Sequence, residues 1–498
     1  MSVQTLDKWA KVAIGEVAEI VAGGTPSSKD ATCFASPGTA IAWLTPADLS
    51  GYKKHTIKYG ARDLTEKGFA SCSAKLMPAG SVLFSSRAPI GYVAIADGSI
   101  STNQGFKSFV FLEPINNRFA YYQLRYLVPE AEARATGTTF KELSGTAAAK
   151  LPFWVAPEVE QLRIADKLDT ILTRVDALND RLARVTPLLK RFRQSVLAAA
   201  TSGRLTEDWR IQKTPDPIEK DWLISVRKLA ASSNKERKII DDLVVYASGA
   251  HPECSFPSSW LRTCIGMGGV VSNGSTPSRG MLDYWGGLIP WVSSGEVRNN
   301  RIDVTKESIS ELGFESSSVR KLPVGTVLIA MIGEGKTRGQ SAILNIEATI
   351  NQNIAAVVPV AEILNPTYLW YWFQGQYENN RKAGNGTGPQ ALNCQKVREL
   401  PLNLPSLGEQ AEIVSRIEAL FAYADRLEAR LQTARTAADR LTPALLAKAF
   451  RGELVPQDPN DEPATELLRR LREARVNEAS QSSKPALRKK IESDIAAK

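Results

Sequence analysis

Histidine is almost missing from this chain: 498 residues hold only two, His55 and His251. Both stand in polar, loop-like stretches, which argues against a multi-histidine metal site or a Ser-His-Asp triad and reads as two surface side chains. Cysteine is scarce as well. Cys33, Cys72, Cys254, Cys264 and Cys394 form no CxxC pair and are odd in number, which argues against a disulfide framework or a cysteine zinc site and favours a reduced, cytoplasmic setting. There is no Pro-Pro dipeptide. The Asn/Asp-Pro-Pro-aromatic loop of a DNA methyltransferase is therefore missing, and Asn365-Pro366-Thr367 does not supply it. Long apolar runs are absent too: Val327–Ile332 is among the longest, far short of the ~20 residues of a membrane span. Met1 to Val17 includes Asp7, Lys8, Lys11 and Glu16 and has no apolar core of signal-peptide length. No membrane association is expected.

What is present is moderate. Apolar residues make up 43%, enough for packed cores, and the length suits two to four domains. Basic residues number 62 against 53 acidic, a net +9. That permits a polyanionic partner without requiring one.

The informative feature is an internal repeat. Trp9 and Gly15 in the first half match Trp260 and Gly266 in the second. Val21-Ala-Gly-Gly-Thr25-Pro26-Ser27 matches Val271-Ser-Asn-Gly-Ser-Thr276-Pro277-Ser278, and Ile41-Ala-Trp43-Leu44 matches Ile289-Pro-Trp291-Val292. Pro78-Ala-Gly80 and Pro323-Val-Gly325 correspond, as do Asn103-Gln104 and Asn351-Gln352. From Leu151 to Leu205 a constant shift of 249 superimposes the copies without a gap, carrying Glu160-Gln161 onto Glu409-Gln410 and Gly203 onto Gly452.

Each copy has two parts. Residues 1–155 and 256–404 show short β-branched runs between Gly, Pro and Ser turns, followed by an aromatic helix at 119–128 or 367–377; they read as mixed α/β domains. Residues 156–205 and 405–455 are different. Ile164, Leu168, Ile171, Val175, Leu178, Leu182, Val185, Leu189, Phe192 and Val196 alternate spacings of four and three, and the second copy repeats this from Ile413 to Leu445. That is a heptad seam. Two seams of equal length in one chain predict a mutual coiled coil, antiparallel because each helix follows its own domain. Thr186-Pro187 and Thr442-Pro443 look like N-cap and first-turn pairs, so the long helices are expected to stop near 185 and 441, with shorter helices beyond. Residues 206–255 read as a linker. Residues 456–498 read as a mixed-charge tail ending in Arg488-Lys489-Lys490, either solvated or a docking segment.

This order of parts resembles the specificity subunits of type I restriction–modification systems. Glu160-Gln161-Leu-Arg-Ile-Ala-Asp-Lys-Leu-Asp169, Leu189-Lys-Arg-Phe-Arg-Gln-Ser-Val-Leu197, Ser202-Gly-Arg-Leu-Thr-Glu-Asp-Trp-Arg210 and Phe450-Arg-Gly-Glu-Leu454 carry the likeness, and the third looks like the type IA branch. The resemblance implies an α+β chain with two target-recognition domains separated by two long antiparallel coiled-coil helices in a pseudo-two-fold repeat. It implies a non-catalytic subunit that binds double-stranded DNA, reads an asymmetric bipartite target and scaffolds two modification (methyltransferase) subunits and the restriction subunits. S-adenosylmethionine, ATP and Mg would sit on those partners, with no cofactor on this chain. Arg191, Arg193 and Arg204 to Arg210 are candidate edges for subunit docking.

DNA contacts are expected on turns that combine Gly with basic or polar residues. In the first domain these are Thr25, Ser27, Lys29, Ser86, Arg87 and Tyr92. In the second they are Arg279, Arg298, Arg301, Lys336, Arg338 and Gln340. Asn103, Gln104, Asn351 and Gln352 recur in both copies and either read bases or hold a loop through local hydrogen bonds. Two rival readings remain. Ala330-Met-Ile-Gly-Glu-Gly-Lys336-Thr337 fits a relaxed phosphate-loop pattern, although the residues after it read as a turn into a strand rather than a helix. A coiled-coil scaffold with no DNA role leaves the duplicated, base-rich turns unexplained.

Overall fold

The computed structural model describes residues 7–137, 141–247, 256–333, 335–382 and 391–476. Its contacts form two compact units: Met1–Ala183 with Thr433–Lys498, and Arg184–Gln432. His251, Cys254 and the Arg488-Lys490 cluster lie outside the described residues.

The repeat is borne out strand for strand. In the first unit β1 (Ala18–Ala22), β2 (Thr56–Ile57), β3 (Val82–Ser86), β4 (Ile90–Ala96) and β5 (Lys107–Phe111) form one sheet in the order β1-β5-β3-β4-β2. In the second unit β6 (Gly269–Asn273), β7 (Asn300–Ile302), β8 (Val327–Ala330), β9 (Ser341–Leu344) and β10 (Ile354–Pro359) repeat that order as β6-β10-β8-β9-β7. In both sheets the edge strand β2 or β7 runs parallel to its neighbour and the other pairings are antiparallel. Gly80 and Gly325 hold positive φ just before β3 and β8, which is why the Pro-x-Gly turns recur. An antiparallel pair closes the base of each domain, Ala10–Ala13 with Pro152–Val155 and Leu261–Cys264 with Pro401–Leu404. The aromatic helices, Asn117–Tyr126 and Pro366–Gly375, are each N-capped by an asparagine, Asn116 or Asn365.

Both long helices outrun the expectation. α1 spans Glu158–Thr201 and α2 spans Leu407–Phe450, each continuous over 44 residues through its proline. Neither Pro187 nor Pro443 starts a new helix. Both prolines are exposed, as are Ala183 and Asp439, whose carbonyls lose a helical partner to the missing N–H. Water can satisfy those carbonyls, so the cost falls on the wet face while the buried seam continues. Each helix ends at a glycine with positive φ, Gly203 (φ 81°) or Gly452 (φ 72°).

Helix segments from the two copies run antiparallel within each unit. In the first, Leu168 and Leu172 share a core with Leu446 and Phe450, and Arg435 Nη2 donates to the Leu182 carbonyl at 3.0 Å. In the second, Arg193 Nη2 reaches Asp425 at 2.7 Å and Glu428 at 2.9 Å. The seam is imperfect: Leu178 and Leu441 are exposed, and Leu172 is buried beside the expected Ile171.

Two segments read as linker and tail are core elements. Within 206–255, helices Lys220–Leu229 and Asn234–Ala247 bury Leu223, Ile240 and Leu243 in the core of the second unit. In the tail, a helix over 464–476 buries Ala464, Leu467, Leu468 and Leu471 against Phe450 and the first domain. Arg472 pairs with Glu16 at 2.9 Å, and Arg475 donates to the Gly15 carbonyl at 3.2 Å. The described part of the tail is therefore not a solvated appendage.

Candidate nucleic-acid interface

In each domain three separated sequence signals converge on one turn. Gly23 passes so close to the 102–103 backbone that a Cβ would lie 2.0 Å from the Asn103 carbonyl oxygen, and at Gly274 it would lie 1.9 Å from that of Ile350. Only glycine permits this approach, which explains its place after β1 and within the turn after β6. The next residue seals it: Gly24 N donates to the Thr102 carbonyl at 2.9 Å, Ser275 N to that of Ile350 at 3.0 Å. A buried indole pins the turn from below. Trp43 Nε1 donates to the Gly24 carbonyl at 3.0 Å and Trp291 Nε1 to the Ser275 carbonyl at 3.1 Å.

Above this base the Thr25 hydroxyl donates to Gln104 Oε1, and the Thr276 hydroxyl to Gln352 Oε1. Both glutamines are exposed. The preceding asparagines face inward: Asn103 Oδ1 accepts from Gly105 N at 2.9 Å, and Asn351 Oδ1 from Asn353 N at 3.1 Å. The repeated Asn-Gln pair thus divides its labour, Asn holding the turn and Gln standing at its surface.

The other expected contacts are distributed unevenly. Ser27, Lys29, Arg298 and Lys336 are exposed, and Arg298 Nε donates to the Gly295 carbonyl at 2.6 Å. Arg87 is half-buried and shares Glu142 with Lys107, at 3.4 and 3.3 Å. Tyr92 lines a cavity of about 370 Å³ with His55, Tyr121 and Arg125. Gln340 is part-exposed in the hairpin between β8 and β9. Ser86 and Arg338 are not on the surface: Ser86 is 0% exposed with its hydroxyl on the Gly105 carbonyl at 3.1 Å, and Arg338 is 4% exposed. Ser86 ends β3 and Arg338 lies in the turn between β8 and β9, and residue type does not disclose that either is buried.

Arg279 and Arg301 are exposed but engaged. Arg279 lies 3.9 Å above the Trp285 ring and grips Glu307 with both guanidinium nitrogens; that fork holds the Glu307 carboxyl below its ordinary range. Arg301 stacks 5.0 Å above Trp370 and bonds Glu418 of α2 at 2.9 Å. The same latch in the first domain is made by His55, 3.2 Å from Asp169 of α1 and 5.1 Å from the Tyr121 ring. Asp169 and Glu418, like Tyr121 and Trp370, are repeat partners. His55 is therefore a docking group rather than a loose loop side chain. Arg193 and Arg210 are likewise spent inside the second unit, the latter on Glu409.

One residue of this surface was not anticipated. Arg62 lies over the Phe34 ring at 4.1 Å and the Trp43 ring at 5.5 Å. A lone arginine in Gly60-Ala-Arg62-Asp63 carries no pattern. Its place becomes visible only through strand register: Ile41 opposes Leu64 as Ile289 opposes Ile309, which puts Arg62 where Glu307 stands in the second copy.

The phosphate-loop alternative fails on geometry. β8 ends at Ala330 and the chain returns through a turn to β9, its antiparallel neighbour; no helix follows the turn to receive a phosphate. Glu334 lies outside the described residues.

The family model for the type I restriction modification DNA specificity domain matches residues 6–186 and 265–434. The chain belongs to this family. The specificity subunit of the type I restriction enzyme EcoBI from Escherichia coli is 30% identical over 387 residues, 76% of this chain and 75% of the relative. The EcoDI specificity subunit from Escherichia coli is 28% identical over 400 residues, 76% and 81%. That of MjaIX from Methanocaldococcus jannaschii is 24% identical over 352 residues, 70% and 72%. The HsdS subunit of Thermoanaerobacter tengcongensis matches in structure with a TM-score of 0.55 at 17% identity, covering 90% of this chain and 97% of that one. A chain from a structural study of type I R-M complex assembly gives 0.59 at 17% identity, covering 90% and 98%. Both structures share the fold. The duplicated domains with their long helices are that fold's two halves, and the family match supports neither a nucleotide-binding enzyme nor a scaffold without a DNA role.

Proposed function

We propose that this specificity subunit reads a split, asymmetric DNA target, one half with each recognition domain, and does no chemistry itself. The observation that carries the reading is the twofold recurrence of one pinned turn, Thr25–Gln104 and Thr276–Gln352, on identical strand orders whose intervening loops differ. A constant platform with variable edges is what reading two different half-sites requires. Gln104 and Gln352, Ser27, Lys29, Arg298 and Lys336 supply donors for base edges and phosphates.

In this reading the helices act as a ruler. A 44-residue helix at ~1.5 Å per residue is about 66 Å long, against ~34 Å per turn of B-DNA. Two methyltransferase subunits and the restriction subunits assemble on this chain in the cytoplasm. S-adenosylmethionine, ATP and Mg are bound by those partners. Removing one heptad from a long helix tests the ruler: the variant is expected to bind the native site more weakly and to favour a site with a changed spacer. Unchanged spacing contradicts it.

A further inference from the structure

Each recognition domain carries a guanidinium stacked on an aromatic pair beside its pinned turn, yet the two arginines come from different positions. In the second domain Arg279 covers Trp285 and Trp291 at 3.9 and 5.0 Å. In the first, Arg62 covers Phe34 and Trp43 at 4.1 and 5.5 Å. Trp43 and Trp291 are the indoles that pin Gly24 and Ser275. The stack is therefore built onto the rigid base of the turn rather than onto a free loop.

The electrostatics of the two stacks differ. Glu307 occupies both nitrogens of the Arg279 fork. Among the described residues no carboxylate pairs with Arg62, and the buried Asp63 beside it in sequence leaves its Oδ1 without a hydrogen bond. Asp63 accepts from Ala40 N at 3.0 Å and Asp48 from Ala61 N at 2.8 Å. Lys67 takes Asp30 at 2.9 Å. Arg62 is exposed. A guanidinium held over two rings is restricted in its motion, so less side-chain freedom is lost when its N–H groups bind. A planar pair of donors matches the O6 and N7 acceptors of guanine in the major groove.

Resting on the split-target reading, we propose that Arg62 is a specificity-determining residue of the first domain that recognises a guanine through O6 and N7. Arg279, its charge closed by Glu307, takes no such part. Arg62 is stacked but its charge is open; Arg279 is stacked and closed.

The test uses the whole chain assembled with its modification subunits. Equilibrium binding is measured on a duplex carrying the cell's methylated motif, on the same duplex with each guanine replaced singly by 7-deazaguanine, and on random duplex. Arg62→Lys keeps the charge and loses the fork, and Arg62→Ala removes both. Each is expected to weaken cognate binding by about tenfold to a hundredfold and to leave random-duplex binding within twofold to threefold. One 7-deazaguanine position that weakens the wild type should be silent in both variants, while Arg279→Lys changes cognate binding less than threefold. Equal losses on cognate and random duplex, no 7-deazaguanine position rescued from sensitivity, or full affinity in Arg62→Lys overturns the proposal. A wild-type assembly that does not discriminate cognate from random duplex overturns the split-target reading itself, which separates the two failures. Circular dichroism of Arg62→Lys confirms that a loss reflects contact rather than unfolding.

Discussion

The indole Nε1 of Trp9 donates to Glu160 Oε2 at 3.0 Å, joining the start of the first domain to the first turn of α1. Trp260 and Glu409 make the same bond at 2.8 Å in the second copy. Glu160 is 1% exposed, and burial pushes its carboxyl above the ordinary value. Trp9→Phe keeps the packing and strands the carboxylate, so a loss of ~1–3 kcal/mol is expected in urea unfolding followed by circular dichroism. A raised folded pKa means the folded state holds the proton more tightly. The contribution of Glu160 is thus full below its unfolded value of about 4.3 and falls as pH rises through the folded value. Glu160→Gln should remove that slope while still accepting from Trp9; an unchanged slope contradicts the assignment.

The two domain latches should differ in their response to acid. Burial holds the His55 imidazole below its ordinary value, with Arg125 and Arg118 acting the same way and Asp169 and Asp176 opposing. A depressed folded pKa gives stability that is present above the unfolded value of about 6.5 and is lost as pH falls through the folded one. In the second unit Arg301, not a histidine, makes the latch to Glu418. Hydrogen exchange between pH 7.5 and 5.5, corrected for intrinsic rate, should show β2 loosening before β7. In His55→Gln the difference should shrink, and an equal response of both strands would remove the His55 latch as its cause.

Pro187 and Pro443 interrupt helices that the structure keeps whole. Pro187→Ala should restore an N–H to the Ala183 carbonyl and relieve the ring's crowding, raising stability by up to about 3 kcal/mol. The readout is the denaturation midpoint. A drop would mean that Thr186-Pro187 starts a helix after all.

The pinned turns make a double-mutant cycle informative. Thr25→Ala and Gln104→Ala should each weaken DNA binding by roughly 1 kcal/mol, about fivefold, and the double variant should lose less than the sum, because either change frees the same loop. Thr276→Ala with Gln352→Ala should repeat the result in the second domain. Strict additivity would mean that the hydroxyl–amide bond does not organise the turn.

Much of this architecture could be read from residues alone, because the repeat is compared with itself. Gly23, Trp43 and Asn103 are each ordinary alone, and their recurrence is what marks them. The heptads mark the helices, and the place of each helix after its own domain marks their antiparallel direction. Proline misleads here: at positions 187 and 443 the local penalty is outweighed by a buried seam on the opposite face. The tail hides its helix. Ala464, Leu467, Leu468 and Leu471 follow helical spacing, but Arg469, Arg470 and Arg472 among and beside them mask it in an averaged view of charge. Burial of Ser86 and Arg338 and the stacking of Arg62 depend on which strands become neighbours, and single side chains carry no record of that.

Methylome sequencing of cells expressing this chain with its methyltransferase partner tests the central claim most directly. The account predicts one modified motif composed of two short, unlike blocks separated by a spacer of fixed length and free sequence. A continuous motif, or two blocks at varying distances, would contradict it.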